Sequence, residues 1–138
     1  QFVFSGNYVF GTIGTFQTHV LKIVAAVLDC QIIKNTIIAP STIATGVIAI
    51  GAVATLRIII RDNMLANTLA ASTACISFGA AAATGIIANN MMSTLADGNP
   101  ASGDGMKFGA GVLVRCFQNF TTDEPVKSGM LAPAIVAT

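Results

Sequence analysis

Charge is what this chain has least of. Lys, Arg, Asp and Glu make up 9% of its 138 residues, against about 25% in an ordinary soluble domain. A single chain of this size must face water with something polar, so the deficit points to burial in a membrane or against other chains. The net charge of +1 supplies no clustered basic face, which excludes binding driven by nucleic-acid phosphates. Trp is absent and Tyr occurs once, leaving little of the aromatic belt found on many membrane proteins. His19 is the one histidine. The cysteines Cys30, Cys75 and Cys116 are far apart with no CxxC pair, so the three or four spaced ligands of a zinc site are missing. Cys75 reads as a small core residue, and a Cys30–Cys116 bridge requires the two ends of the chain to meet. No G-x-S-x-G elbow occurs. The glycine-rich GDGMKFGAG at 103–111 lacks the G-K-[ST] ending of a phosphate loop and reads as a flexible connection. Asn119-Phe-Thr121 fits the glycosylation triplet, which matters only in a secreted eukaryotic protein. With these groups missing, the chain is expected not to be an enzyme and to hold no catalytic cofactor or metal.

What the chain has instead is apolar length. Hydrophobic residues make up 54% of it. Between Asn35 and Ala96 the only formal charges are Arg57, Arg61 and Asp62, clustered between two uncharged stretches. Residues 1–16 alternate aromatic or β-branched residues with Ser, Gly, Asn and Thr, and read as extended chain with turns at Gly6, Gly11 and Gly14. Val20, Val24, Val27 and Leu28 recur at helical spacing opposite Lys22 and Asp29, predicting an amphipathic helix from Thr18 to about Ile38. Pro40 breaks it. The run TIATGVIAIGAVATLRIII, 42–60, is long enough as a helix to cross a hydrocarbon core of about 30 Å. Its β-branched residues also suit a buried pair of strands in water. Residues 64–92 are Ala-rich and predict a second apolar helix.

The fold expected is therefore mainly α: a hairpin of two apolar helices, preceded by an amphipathic helix. Residues 1–96 hold the extended segment and the hairpin. Residues 97–138 follow as a Gly-rich loop, a strand near 108–120 and an irregular tail, all in one structural unit. Four-residue spacing places Ala71, Cys75, Gly79 and Ala83 on one small-residue stripe, and Gly46 and Gly51 lie on the preceding helix. Such stripes let helices approach closely, so these six residues are the expected subunit-packing positions. Arg57 and Arg61, four apart, share a helical face and are placed to reach lipid headgroups, bind lipid phosphates or pair with Asp62 of a neighbouring copy. No internal repeat stands out.

Two apolar, small-residue-rich helices joined by a short basic turn resemble the pilins of type IV secretion and conjugation systems. The resemblance lies in Ile38-Ala-Pro40, the helix with Gly46 and Gly51, Arg57 and Arg61 at the turn, and the second helix with Gly79 and Gly85. It covers about residues 20–92; the aromatic start and the residues after Ala96 exceed a minimal pilin. The resemblance implies a mature amino terminus left by signal cleavage, membrane or extracellular-filament localisation, and a helical tube with phospholipid between subunits and the basic turn facing the lumen. The expected function is a non-enzymatic structural subunit of a homopolymeric, membrane-derived filament whose partners are copies of itself and phospholipid. The alternatives are a small integral membrane component of a transport or secretion complex, and a self-assembling virion coat protein.

Overall fold

The computed structural model describes residues 1–10, 19–39, 47–67, 74–94 and 104–121, and every regular element in them is a strand. In chain order these are β1 (Phe2–Ser5), β2 (Tyr8–Phe10), β3 (Leu21–Ile23), β4 (Val27–Ile33), β5 (Thr36–Ala39), β6 (Ile48–Ile50) and β7 (Thr55–Arg61). The series continues with β8 (Met64–Asn67), β9 (Ala74–Phe78), β10 (Ala83–Ala88), β11 (Met91–Thr94), β12 (Asp104–Lys107), β13 (Val112–Phe117) and β14 (Phe120–Thr121). Every third strand joins the same sheet, and all pairings are parallel. Sheet A has the order β1-β4-β7-β10-β13, sheet B β14-β11-β8-β5-β2, and sheet C β12-β9-β6-β3. The chain thus winds as a three-sided solenoid, and each turn of the chain lays one strand on each side, about 4.8 Å beyond the last.

The expected α-hairpin is replaced throughout. The chain expected as an amphipathic helix holds β3, β4 and β5; the first apolar run holds β6 and β7; the Ala-rich segment holds β8 to β11. Among the described residues no helix is long and apolar enough to cross a membrane, which removes the transmembrane, pilin-like hairpin and the membrane localisation built on it. The physical reason lies in the β-branched content. Ile and Val lose side-chain freedom in a helix and pack well on a pleated surface. A run apolar on both faces is also how strands of a parallel sheet read.

A repeat exists after all, with a period near 28. Phe2 pairs with Cys30 and Cys30 with Ile58; Ile58 pairs with Gly85, and Gly85 with Val114. Inward-facing residues therefore stack on their own kind. Ile32, Ile60 and Ile87 form one fully buried column on sheet A, Ile37, Leu65 and Met92 one on sheet B, and Ile48 and Ile76 one on sheet C. Each fully buried side chain of this size stabilises the fold by roughly 1.5–3 kcal/mol. Phe78 and Phe108 continue the column of Ile23 and Ile50, their ring centroids 5.5 Å apart.

Two corners fix the turns. Between sheets A and B, each turn of the chain has one residue at positive φ: Gly6, Lys34, Asp62, Asn89 and Gln118. An asparagine follows each of them. After sheet C comes a glycine, Gly51, Gly79 or Gly109, whose N–H donates to the carbonyl of Ile23, Ile50 or Phe78 on the previous turn. A Cβ at Gly79 would lie 2.7 Å from the Ala52 nitrogen, so the coils approach too closely there for any side chain.

The 27-residue step between β7 and β10 has a visible cause. Asp29 and Arg57 sit at positive φ as extra residues in β4 and β7, and β10 has no counterpart. The register therefore shifts between Ala83 and Gly85. Gly85 absorbs the shift at φ 153°, where a Cβ would overlap the Ile58 carbonyl oxygen.

Candidate functional site

The most ordered chemistry in the molecule is a column of asparagines, Asn7, Asn35, Asn63, Asn90 and Asn119, spaced 28, 28, 27 and 29 residues apart. The amide oxygen of Asn63 accepts both the backbone N–H and the side-chain Nδ2 of Asn35, each at 2.9 Å. Its own Nδ2 donates onward to Asn90 Oδ1 and back to the Ile32 carbonyl, again at 2.9 Å. Asn35 and Asn90 repeat the scheme with Phe4 and Ile60 as the backbone acceptors. Asn35, Asn63 and Asn90 are buried, and each uses both side-chain donors and both acceptor positions. A network so completely satisfied has no group left over for a ligand; it is a structural spine.

The residues singled out in the sequence are scattered around this spine. Arg57 lies on β7, exposed, with Nε and Nη2 each 2.6 Å from a carboxylate oxygen of Asp29 on the previous turn. That bidentate pair holds the Asp29 carboxyl below its ordinary pKa, the hydrogen bond from Arg57 being the largest cause. Arg61 ends β7 and reaches Asp62 at 3.2 Å. Gly51 and Gly79 allow close backbone approach, here between successive turns of one chain. Cys75 is buried on β9, and Ala83 points inward at the start of β10. Gly46 and Ala71 lie outside the described residues. The stripe of four-residue spacing thus separates onto different sides of the solenoid.

Cys30, Cys75 and Cys116 are buried thiols, none of them in a disulfide, and the Cys75 thiol faces the Leu65 and Ser93 carbonyls. Cys30 lies on β4, the second strand of sheet A, and Cys116 on β13, its last, with two strands between them, and they form no bridge. Burial pushes both thiols up to about 11, which makes them poor nucleophiles near neutral pH. His19, beside Lys22, is held below its ordinary pKa by partial burial and then by that charge. Among the described residues no three His, Cys, Asp or Glu side chains come together as a metal site.

What the sequence reading missed is the outside of the sheets. On sheet B the outward row runs Tyr8, Thr36, Met64, Met91, Phe120. Tyr8, Met64, Met91 and Phe120 are exposed by 71%, 48%, 56% and 61%. A second outward row, Phe10, Ile38, Ala66 and Ser93, runs beside it. Between the rows, Met64, Met91 and Phe120 wall a shallow apolar notch of about 60 Å³ floored by Ala66 and Ser93. Sheet A presents Leu28, Leu56 and Leu113 to solvent, beside a second apolar hollow lined by Ala26, Val27, Leu28, Ala54 and Leu56. The sequence signal for these rows was present as outward positions at period 2 once strands replace helices. Such contiguous exposed apolar surface marks an interaction face. No protein-family model matches the chain, and no curated protein or solved structure matches it.

Proposed function

We propose that the chain is a non-enzymatic structural subunit that works by associating with copies of itself through the outer faces of its solenoid. One observation carries this: large apolar side chains stand exposed in rows on sheets A and B, in register with the strand repeat. An enzyme would concentrate titratable groups in a cleft. Here the two most exposed charged contacts, Asp29–Arg57 and Arg61–Asp62, are ion pairs on an open surface. The interior is filled by stacked aliphatic columns and the Asn spine, which makes the subunit stiff along its axis. Stiffness and an apolar exterior suit a building element.

The charge deficit fits the same function without lipid. Surface that is covered by neighbouring subunits needs no charge to stay in water. Purification of the native particle followed by negative-stain imaging tests the proposal. A homopolymer, filament or closed shell, is the expected result. A monodisperse monomer at cellular concentration, or a particle in which this chain stands in fixed ratio to other chains, overturns it.

A further inference from the structure

Sheet B differs from the other two sheets in carrying no charge at all. Its strands read YVF, TIIA, MLAN, MMST and FT, whereas sheet A contains Asp29, Arg57, Arg61 and Arg115, and sheet C contains Lys22, Asp104 and Lys107. We propose that the outer face of sheet B is the contact for a second copy of this chain, related by a two-fold axis running along the solenoid. This rests on the self-association proposed above and names its surface and geometry.

Three features single out a second copy as the occupant. A face without charge meets its own copy with no charged group to desolvate and no like charges to bring together, whatever the register of the contact. Side chains here stand at the interstrand step of about 4.8 Å, and a partner whose side chains interdigitate must present the same step. Another copy does so by construction. The third feature is size. Residues 64 and 66 are both outward on β8, and residues 91 and 93 on β11. A two-fold along the solenoid axis sets the row of Met64 and Met91 against the row of Ala66 and Ser93 of the other copy. Each methionine then enters the notch that the other copy's Ala66 and Ser93 floor. Large meets small on β8 and β11, twice over by symmetry, and Tyr8 meets Phe10 ring to ring on β2. A two-fold across the solenoid would instead place Met64 on Met64.

The area sets the strength. Five strands about 4.8 Å apart, each with two outward residues of about 7 Å width along the strand, offer on the order of 300 Å² per copy, well under the roughly 800 Å² per partner of a stable complex. The pair is therefore a weak, reversible dimer.

Analytical ultracentrifugation of the full chain from about 10 µM to about 1 mM tests this. The expected result is a reversible monomer–dimer equilibrium. Met64→Lys with Met91→Lys is expected to raise its Kd by at least about tenfold while leaving the circular-dichroism melt unchanged, because both side chains face solvent in the monomer. Ala66→Met alone is expected to weaken the dimer, and Met64→Ala with Ala66→Met to restore it. If the double-lysine variant misfolds, cysteine cross-linking gives an independent readout, the native thiols being buried. A mixture of Met64→Cys and Ala66→Cys chains is expected to cross-link, and neither alone. Cross-linking of Met64→Cys by itself, or association unaltered by the lysines, overturns the inference while leaving association through another face standing. A wild-type chain that stays monomeric across the whole range overturns both proposals.

Discussion

Replacing Asn63 by alanine removes the middle of the asparagine column, and the cost can be worked out from its partners. The substitution leaves two buried N–H groups without a partner: the Asn35 backbone N–H and the one Asn35 Nδ2 hydrogen that pointed at Asn63 Oδ1, the other still donating to the Phe4 carbonyl. It also takes the Asn63 Nδ2 bond from the Ile32 carbonyl, which keeps its place in the β4–β7 ladder. Asn90 Oδ1 still accepts the Asn63 backbone N–H at 3.1 Å, so it keeps one bond of two. Each orphaned buried donor costs roughly 1–3 kcal/mol, so the sum is about 2–6 kcal/mol before any water enters the vacated space. That is a large part of the 5–15 kcal/mol typical of a whole domain.

Asn7 is the internal control. It sits at the first turn, its Oδ1 accepts no hydrogen bond from the described residues, and Asn35 Oδ1 keeps the Asn7 backbone N–H at 3.0 Å if the side chain is lost. Asn7→Ala should therefore cost about 1 kcal/mol or less. Urea unfolding followed by circular dichroism separates the two, with the Asn63→Ala midpoint falling by about 2 M for an m-value near 2 kcal/mol/M. Asn63→Asp should be at least as costly at pH 7. Its carboxylate accepts from Asn35 but points its other oxygen at two acceptors, Ile32 O and Asn90 Oδ1. Equal costs at positions 7 and 63, or an Asn63→Ala cost under about 1 kcal/mol, would refute the claim that the column holds the coils together.

Gly85→Ala should destabilise by more than about 3 kcal/mol or prevent folding, because φ 153° is closed to a side chain and the new Cβ meets the Ile58 carbonyl; expression and thermal melting report it. Asp29→Asn should change stability little despite the short bridge, because both partners lie in solvent. What effect there is should fade in high salt. It should also vanish as pH falls through the depressed Asp29 pKa, since an acid with a lowered folded pKa lends its stability above the ordinary value. The buried thiols act in the opposite direction. With Cys30 and Cys116 raised to about 11, the unfolded chain ionises first, so stability should drop as pH rises from about 9 toward 11 by about 2 kcal/mol per thiol. A Cys30→Ala, Cys116→Ala variant should show a flatter curve over that window, and an identical slope would count against the assignment.

How much of this fold the sequence disclosed depended on what covered each strand. At the two ends, alternation was legible. Residues 1–16 read as extended chain with a turn at Gly6, where β1 and β2 and their positive-φ glycine are found. In β13, the alternation of Val112, Val114 and Cys116 with Leu113, Arg115 and Phe117 matches the inward and outward faces. In the middle, β6 (IAI) is buried at every residue and β7 (TLRIIIR) carries apolar residues on both faces, so neither shows a period of two and both take on the look of a membrane helix. The repeat was present as the tripeptides SGN, IKN, RDN, ANN and FQN. Its step varies between 27 and 29 residues, and only the asparagine is constant. The residue before it needs a positive φ, which Gly, Lys, Asp, Asn and Gln all supply here. Arg57 was legible as an exposed charge, but its partner Asp29, 28 residues away, becomes a neighbour only once the winding is known.

The charge deficit, too, changes meaning with the winding. A helical hairpin with so few charges has only lipid or packed helices to hide in. A solenoid instead divides its residues by side: one row of each sheet faces the buried columns, and on sheets A and B the other faces out at the fixed strand step. If outward rows were free in water on all three sides, each sheet would be expected to carry charge, as sheets A and C do. Sheet B carries none, although its row includes Tyr8, Met64, Met91 and Phe120 in open exposure. The shortage of charge is therefore uneven, and its unevenness argues for a covered face with a definite place on the molecule. The measurement that decides it is the concentration at which two such faces close on each other, and whether lysines at 64 and 91 keep them apart.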